Sequence, residues 1–142
     1  MSGQNLAGAP VTSHRFPTVA EFERGELDPE AFVHEAHVYV AWELINQCPL
    51  TEAIQRFTQA LRRLTTAIGQ EAKYHETITW FFMLRTAERR EALGATDWDT
   101  FAAANSDLLT DSKSMLARHY SAERLWSPLA RRQFLLPDLA AD

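Results

Sequence analysis

Apolar residues recur at three- and four-residue spacing in several long windows of this 142-residue chain. In the clearest window Ile54, Phe57, Leu61, Leu64 and Ile68 share one side, which is the spacing of the buried face of an α-helix. The sequence has no stretch of apolar and polar residues in strict alternation, the pattern of a half-buried strand. The spacing therefore predicts an all-α fold.

Residues that start and stop helices set the expected bounds of these helices. Asp28 can cap a first helix, because its carboxylate accepts free N–H groups, and Pro29 suits the first helical position. Thr51 can cap a second helix at its start, and Gly69 can end it in the left-handed conformation. We therefore expect a helical bundle with long helices over residues 29–46, 52–68 and 73–93, and shorter C-terminal helices after residue 97. Asp97 and Asp111 are expected to cap two of these, and Ser127 with Pro128 to begin a third.

Composition bears on domain organisation and on the classes of partner. A hydrophobic content of 46% is ample for a core, and the length predicts one domain over residues 19–142 after a flexible tail over residues 1–18. The net charge of -5 argues against a nucleic-acid partner, and the longest apolar stretch, Ile78–Leu84, is too short to cross a membrane. Cys48 is the one cysteine and the N-terminus does not have the pattern of a signal peptide, so we expect a cytoplasmic protein.

Three histidines fall where a helical core would ordinarily place Leu or Val. His34 and His37 are one turn apart in the seam of the first long helix, and His75 opens the third. Neutral imidazoles on facing helices can bind a divalent transition metal such as zinc, copper, iron or nickel, and three of them leave a coordination position open for a substrate. The alternative is that these are unrelated histidines of the core and its boundary, each bonded to a carbonyl or carboxylate.

The residues around His75 suggest candidates for further roles at such a site. Glu76 is a candidate general base or carboxylate partner of a ligating histidine, and Tyr74 is a candidate hydrogen-bond donor to the substrate. Trp42, Thr79 and Phe82 are expected to line a substrate pocket. Aromatic residues at helical spacing are also typical of an ordinary core, so that alternative stays open.

Two known histidine motifs are absent from the sequence. No histidine has Glu three residues before it, as di-iron carboxylate bundles require, and the H-E-x-x-H motif of zinc proteases is missing. The segments 34–42 and 73–79 resemble those of a family of small, helical bacterial proteins. That resemblance implies a helical fold and no particular activity.

Two functions of different classes are consistent with this pattern. The first is a small metal-dependent enzyme that acts on a small organic substrate at the three histidines. The second is a non-enzymatic helical interaction module with structural histidines. Charged side chains near the C-terminus are usually a solvated face, but they would also suit a homodimer contact or an anionic ligand; they include Arg118, Arg124, Arg131 and Arg132.

Overall fold

The computed structural model describes residues 16–139, and within that range the chain forms α-helices and no strand. The all-α fold is thus confirmed for the described residues. The longest helices are α2 (His34–Gln47), α3 (Leu50–Ala67) and α4 (Glu76–Leu93). The shorter ones are α1 (Val19–Arg24), α5 (Trp98–Ala104), α6 (Ser106–Thr110), α7 (Ser112–His119), α8 (Ala122–Leu125) and α9 (Pro128–Arg132).

The first long helix begins five residues later than predicted. Asp28 does cap a turn, since its carboxylate accepts the Glu30 N–H at 3.0 Å, but that turn is a 3-10 helix over Pro29–Ala31. The chain then leaves helical geometry so that the Phe32 side chain, 7% exposed, can pack against Phe22. Burial of this one aromatic ring therefore outweighs the local start signal, and α2 begins only at His34.

The third long helix also begins later than its predicted start at residue 73. Glu71–Lys73 forms a second 3-10 turn, and Tyr74 and His75 are extended. His75 is the N-cap of α4, because its side chain accepts a hydrogen bond from the backbone N–H of Ile78. Histidine is an uncommon capping residue, so a search for Ser, Thr, Asp or Asn does not find this start.

Other predicted boundaries agree in part, because neither Thr51 nor Asp111 caps a helix with its side chain and α3 begins at Leu50 after Pro49. Gly69 has a φ of +70°, the left-handed conformation expected of the residue that ends the second helix. Asp97 caps α5 through the Thr100 N–H at 2.9 Å, and Ser127 caps α9. These signals are local, which is why they can be predicted from sequence.

Helix α2 lies between two groups of buried side chains. One face, which includes Val40 and Leu44, packs with α3 and α1, while the other, which includes Val38 and Trp42, packs with the helices from α5 onward. Helix α4 contacts α2 and also contributes to both groups. Helices α2 and α4 are therefore held by apolar surface on more than one side, whereas the buried apolar side chains of α3 belong to the first group alone.

The C-terminal segment returns to the start of α4. The Thr77 hydroxyl is fully buried, lies 2.7 Å from the Ala130 carbonyl oxygen and accepts the Leu135 N–H at 3.1 Å. The buried Tyr120 hydroxyl donates to the Leu135 carbonyl at 2.7 Å. These bonds hold α8 and α9 close to His75, which brings backbone carbonyls to the candidate site.

Thr18, which we predicted to belong to the flexible tail, is the N-cap of α1 and forms a reciprocal capping box with Glu21. Residues 1–15 of that predicted tail, with His14, lie outside the described residues. The single domain over residues 19–142 stays a prediction.

Across residues 16–139, none of the helices combines the length and the apolar character that a bilayer crossing requires.

Candidate functional site

A cavity of about 590 Å³ lies between α2, α3 and α4, and the side chains of His34, His37 and His75 all line it. Its walls are mostly apolar and come from all three helices. They include Val38 and Ala41 from α2, Phe57, Leu61 and Leu64 from α3, and Ile78, Phe82 and Met83 from α4.

His37 has the most strongly shifted pKa of the three histidines. Burial, with a smaller contribution from His34, lowers its pKa from 6.5 to about 4, although the Phe32 carbonyl acts in the opposite direction. Its ring packs on the Phe32 ring at a centroid distance of 4.2 Å. His37 is therefore neutral at neutral pH, and since one carbonyl can use only one ring nitrogen, the other can accept a hydrogen bond from a ligand.

His34 is held by a backbone carbonyl from α6. Its Nε2 lies 2.9 Å from the Leu108 carbonyl oxygen, and its ring meets Phe82 edge to face at 4.7 Å. Burial lowers its pKa, so the ring is neutral at neutral pH. Because a carbonyl can only accept, Nε2 carries the hydrogen and Nδ1 is left as an acceptor.

His75 has both ring nitrogens in use. Nδ1 accepts the Ile78 N–H at 3.2 Å, so Nε2 carries the hydrogen and donates it to the Leu125 carbonyl at 2.7 Å. Burial lowers the pKa of His75, and the nearby Arg131 guanidinium lowers it further. A metal ion could bind His75 only if one of these two hydrogen bonds were broken.

The structure therefore brings the three histidines to one cavity without placing their nitrogens around a common point. Among residues 16–139, no three His, Cys, Asp or Glu side chains are placed to share one ion. Zn²⁺ binds imidazole nitrogen at about 2.0–2.1 Å, so a shared ion would require the rings to turn. Metal binding by this trio stays a prediction.

The two predicted catalytic residues, Tyr74 and Glu76, contact each other. The Tyr74 side chain lines the cavity, and its hydroxyl donates to the Glu76 carboxylate. That carboxylate also accepts from Arg62 of α3 at 2.9 Å, and Glu76 is not among the residues that line the cavity. Burial and the Glu76 carboxylate raise the pKa of Tyr74, so its hydroxyl stays protonated.

Of the predicted substrate-binding residues, two line the cavity and one lies elsewhere. Thr79 and Phe82 are on its wall, although the Thr79 hydroxyl already donates to the His75 carbonyl at 2.8 Å. The Trp42 ring instead packs against Trp98 and Phe101, with centroid distances of 5.5 and 5.9 Å. Trp42 projects from the side of α2 that faces the C-terminal helices, so it belongs to the core and not to the cavity.

His119 is the last residue of α7 and forms its hydrogen bonds away from the cavity. Its Nδ1–H donates to the Met115 carbonyl at 2.8 Å, and its Nε2 accepts from Arg85 at 2.8 Å. It does not line the cavity, which makes it a matched control for substitutions of His37.

Two cations line the cavity, Lys73 and Arg131. The sequence gives no sign that Lys73 is a site residue, whereas Arg131 is one of four arginines for which it suggests a homodimer contact or an anionic ligand. The Arg131 guanidinium donates to the Ala72 carbonyl at 3.1 Å and lies 5.6 Å from the centre of the Trp126 ring. The two residues are 58 positions apart, so no local pattern could have paired them.

Comparison of the chain with protein-family models, with curated proteins and with solved structures found no match. The resemblance to small helical bacterial proteins is therefore not supported by a family match. A function for this protein has to be derived from the cavity itself.

Proposed function

We propose that this protein binds a small organic molecule in the histidine-lined cavity and that His37 and His34 contact the ligand as neutral imidazoles. The observation that supports this best is the cavity itself, whose volume of about 590 Å³ lies within the range of roughly 300–1,000 Å³ typical of ligand sites. Apolar walls with a few polar groups are also the usual composition of such sites. In this proposal α2, α3 and α4 act as a helical bundle that frames the ligand.

The low pKa of His37 favours binding over proton abstraction. A general base is most effective when its pKa is close to the working pH, and a pKa of about 4 makes His37 a weak base at neutral pH. The same low pKa makes it a dependable hydrogen-bond acceptor, since protons do not compete for its free nitrogen.

The test uses N-phenyl-1-naphthylamine, an uncharged probe whose fluorescence rises in apolar surroundings. Thr65 lines the cavity and is half-buried, whereas its neighbour Thr66 is exposed and does not line it. A Thr65→Trp variant places an indole in the cavity and should weaken probe binding by about tenfold, or about 1.4 kcal/mol. The matched Thr66→Trp variant should bind like wild type.

Circular dichroism would show that both variants keep their helices. Unchanged probe affinity in a folded Thr65→Trp variant would mean that the probe binds elsewhere and that the cavity is not a ligand site.

The metal-dependent enzyme is a stronger form of the same proposal. It is supported by the neutral state of His37 and by the acceptor nitrogen left on His34, because metals bind unprotonated imidazole. In this form a metal ion would have to replace one of the two hydrogen bonds that the His75 ring makes. An open coordination position would let a bound zinc, copper, iron or nickel ion activate the substrate.

Calorimetric titration of tag-free protein with Zn²⁺, Cu²⁺, Fe²⁺ and Ni²⁺ in turn tests the metal form. Binding that is lost in His37→Gln and kept in His119→Gln would support it. If wild type binds no zinc, copper, iron or nickel, the metal-free form of the proposal is the one left.

The second candidate is an interaction module, and exposed apolar side chains at the C-terminal end favour it. Trp126 and Leu136 are 54% and 70% exposed. Such side chains would suit a homodimer contact. Both proposals include a cytoplasmic location, because one cysteine permits no internal disulfide. Sedimentation velocity of wild type and Leu136→Ser tests the interaction module: a dimer that the substitution dissociates would favour it, and a monomeric wild type would contradict it.

A further inference from the structure

We propose that the ligand of this cavity is an organic carboxylate, with its apolar body between α2, α3 and α4 and its charged head between Lys73 and Arg131. This inference rests on the proposed function and specifies the class of ligand.

The first observation is the position of the two cations. Both residues line the cavity and are largely exposed, so they lie at its mouth. The Arg131 guanidinium donates to the carbonyl of Ala72, the residue next to Lys73, and this bond fixes it beside the turn that holds Lys73. Helix α9 thereby brings the positive charge of Arg131 close to that of Lys73.

The second observation is that neither cation has an anionic partner in the described part of the chain. Arg56, Arg62 and Arg89 each form an ion pair with a carboxylate, but no ion pair among residues 16–139 uses Lys73 or Arg131. Glu71 is in the same 3-10 turn as Lys73, yet it does not line the cavity. Two cations with free charge at one mouth form an electrostatic site for an anion.

The third observation is the charge of the cavity wall. None of its described residues is Asp or Glu, in a chain whose net charge is -5. His34, His37 and His75 all have lowered pKa values, so the interior is neutral at neutral pH. The cavity is therefore apolar and uncharged inside and positive at its mouth, which is complementary to a molecule with an apolar body and one carboxylate.

The test compares two competitors that differ in charge and little else, 2-naphthoate and 2-naphthamide, as they displace N-phenyl-1-naphthylamine at pH 7.5. From wild type, 2-naphthoate should displace the probe at a concentration about fivefold lower, the combined effect of two solvent-exposed ion pairs. In Lys73→Gln/Arg131→Gln the two competitors should displace the probe at equal concentrations, each corrected for the probe affinity of that variant. The control Lys113→Gln/Arg132→Gln removes two exposed cations that do not line the cavity, and it should keep the fivefold preference.

Equal displacement by both competitors in wild type would overturn the inference, and so would a preference that survives in Lys73→Gln/Arg131→Gln. Both results leave the proposed function intact, because the probe itself still binds. Failure of the proposed function is seen separately, as absence of probe binding to wild type or as insensitivity to Thr65→Trp.

Discussion

The environment of His37 predicts how the stability of this protein depends on pH. In the native state the pKa of His37 is about 4, whereas an unperturbed histidine has a value of 6.5. Between these two values the unfolded chain binds a proton that the native state does not. Stability must therefore be complete above pH 6.5 and fall as the pH drops toward 4.

The size of the effect follows from these two values. Between pH 8 and pH 5 the proton linkage of this one side chain lowers the free energy of unfolding by about 2 kcal/mol. His34 and His75 have lowered pKa values for the same reason and add to the loss in the same direction. Carboxylates titrate mostly below pH 5 and contribute less in this window.

Urea unfolding of wild type and His37→Gln at pH 8 and pH 5 measures the effect. The loss between the two pH values should be about 2 kcal/mol smaller in His37→Gln than in wild type. The reasoning would be refuted if His37→Gln lost as much stability as wild type. If that variant does not fold, an NMR titration of the His37 ring in wild type gives its pKa directly, and a value near 6.5 would refute it equally.

Two further predictions compare matched pairs of residues. Thr77→Val should lower the free energy of unfolding, measured in urea, by about 2 kcal/mol, because the Thr77 hydroxyl joins α4 to the C-terminal segment. Thr86→Val should lower it by less than about 0.5 kcal/mol, because the buried Thr86 hydroxyl has no hydrogen-bond partner among the described residues. Equal losses in the two variants would contradict this. Phe82→Leu should weaken binding of N-phenyl-1-naphthylamine by about fivefold, because an aromatic contact in the cavity is lost. Trp42→Phe should leave the probe affinity unchanged and lower the free energy of unfolding by about 1–2 kcal/mol. A weaker probe affinity in Trp42→Phe would mean that the ligand reaches the second group of buried side chains.

Sequence by itself determined the features that depend on neighbouring residues. Apolar spacing gave the all-α fold, and the stop at Gly69 and the caps at Asp97 and Ser127 were predicted where they occur. Each of these signals acts within one helical turn, through a backbone conformation or a hydrogen bond between residues close in sequence. The unusual enrichment of histidines in helix seams also directed attention to His34, His37 and His75, which do line one cavity.

Tertiary structure decided what those histidines can do. The Leu108 and Leu125 carbonyls that hold His34 and His75 come from helices 50 or more residues away in sequence, and backbone carbonyls carry no sequence signature. The same holds for the mouth of the cavity, where a bond to the Ala72 carbonyl brings Arg131 beside Lys73. Burial of Phe32 moved the start of α2, because the free energy of burying an aromatic ring exceeds that of one capping bond. Contacts between distant segments thus fixed the protonation, the hydrogen bonds and the charge of the site, while local patterns fixed the helices that carry it.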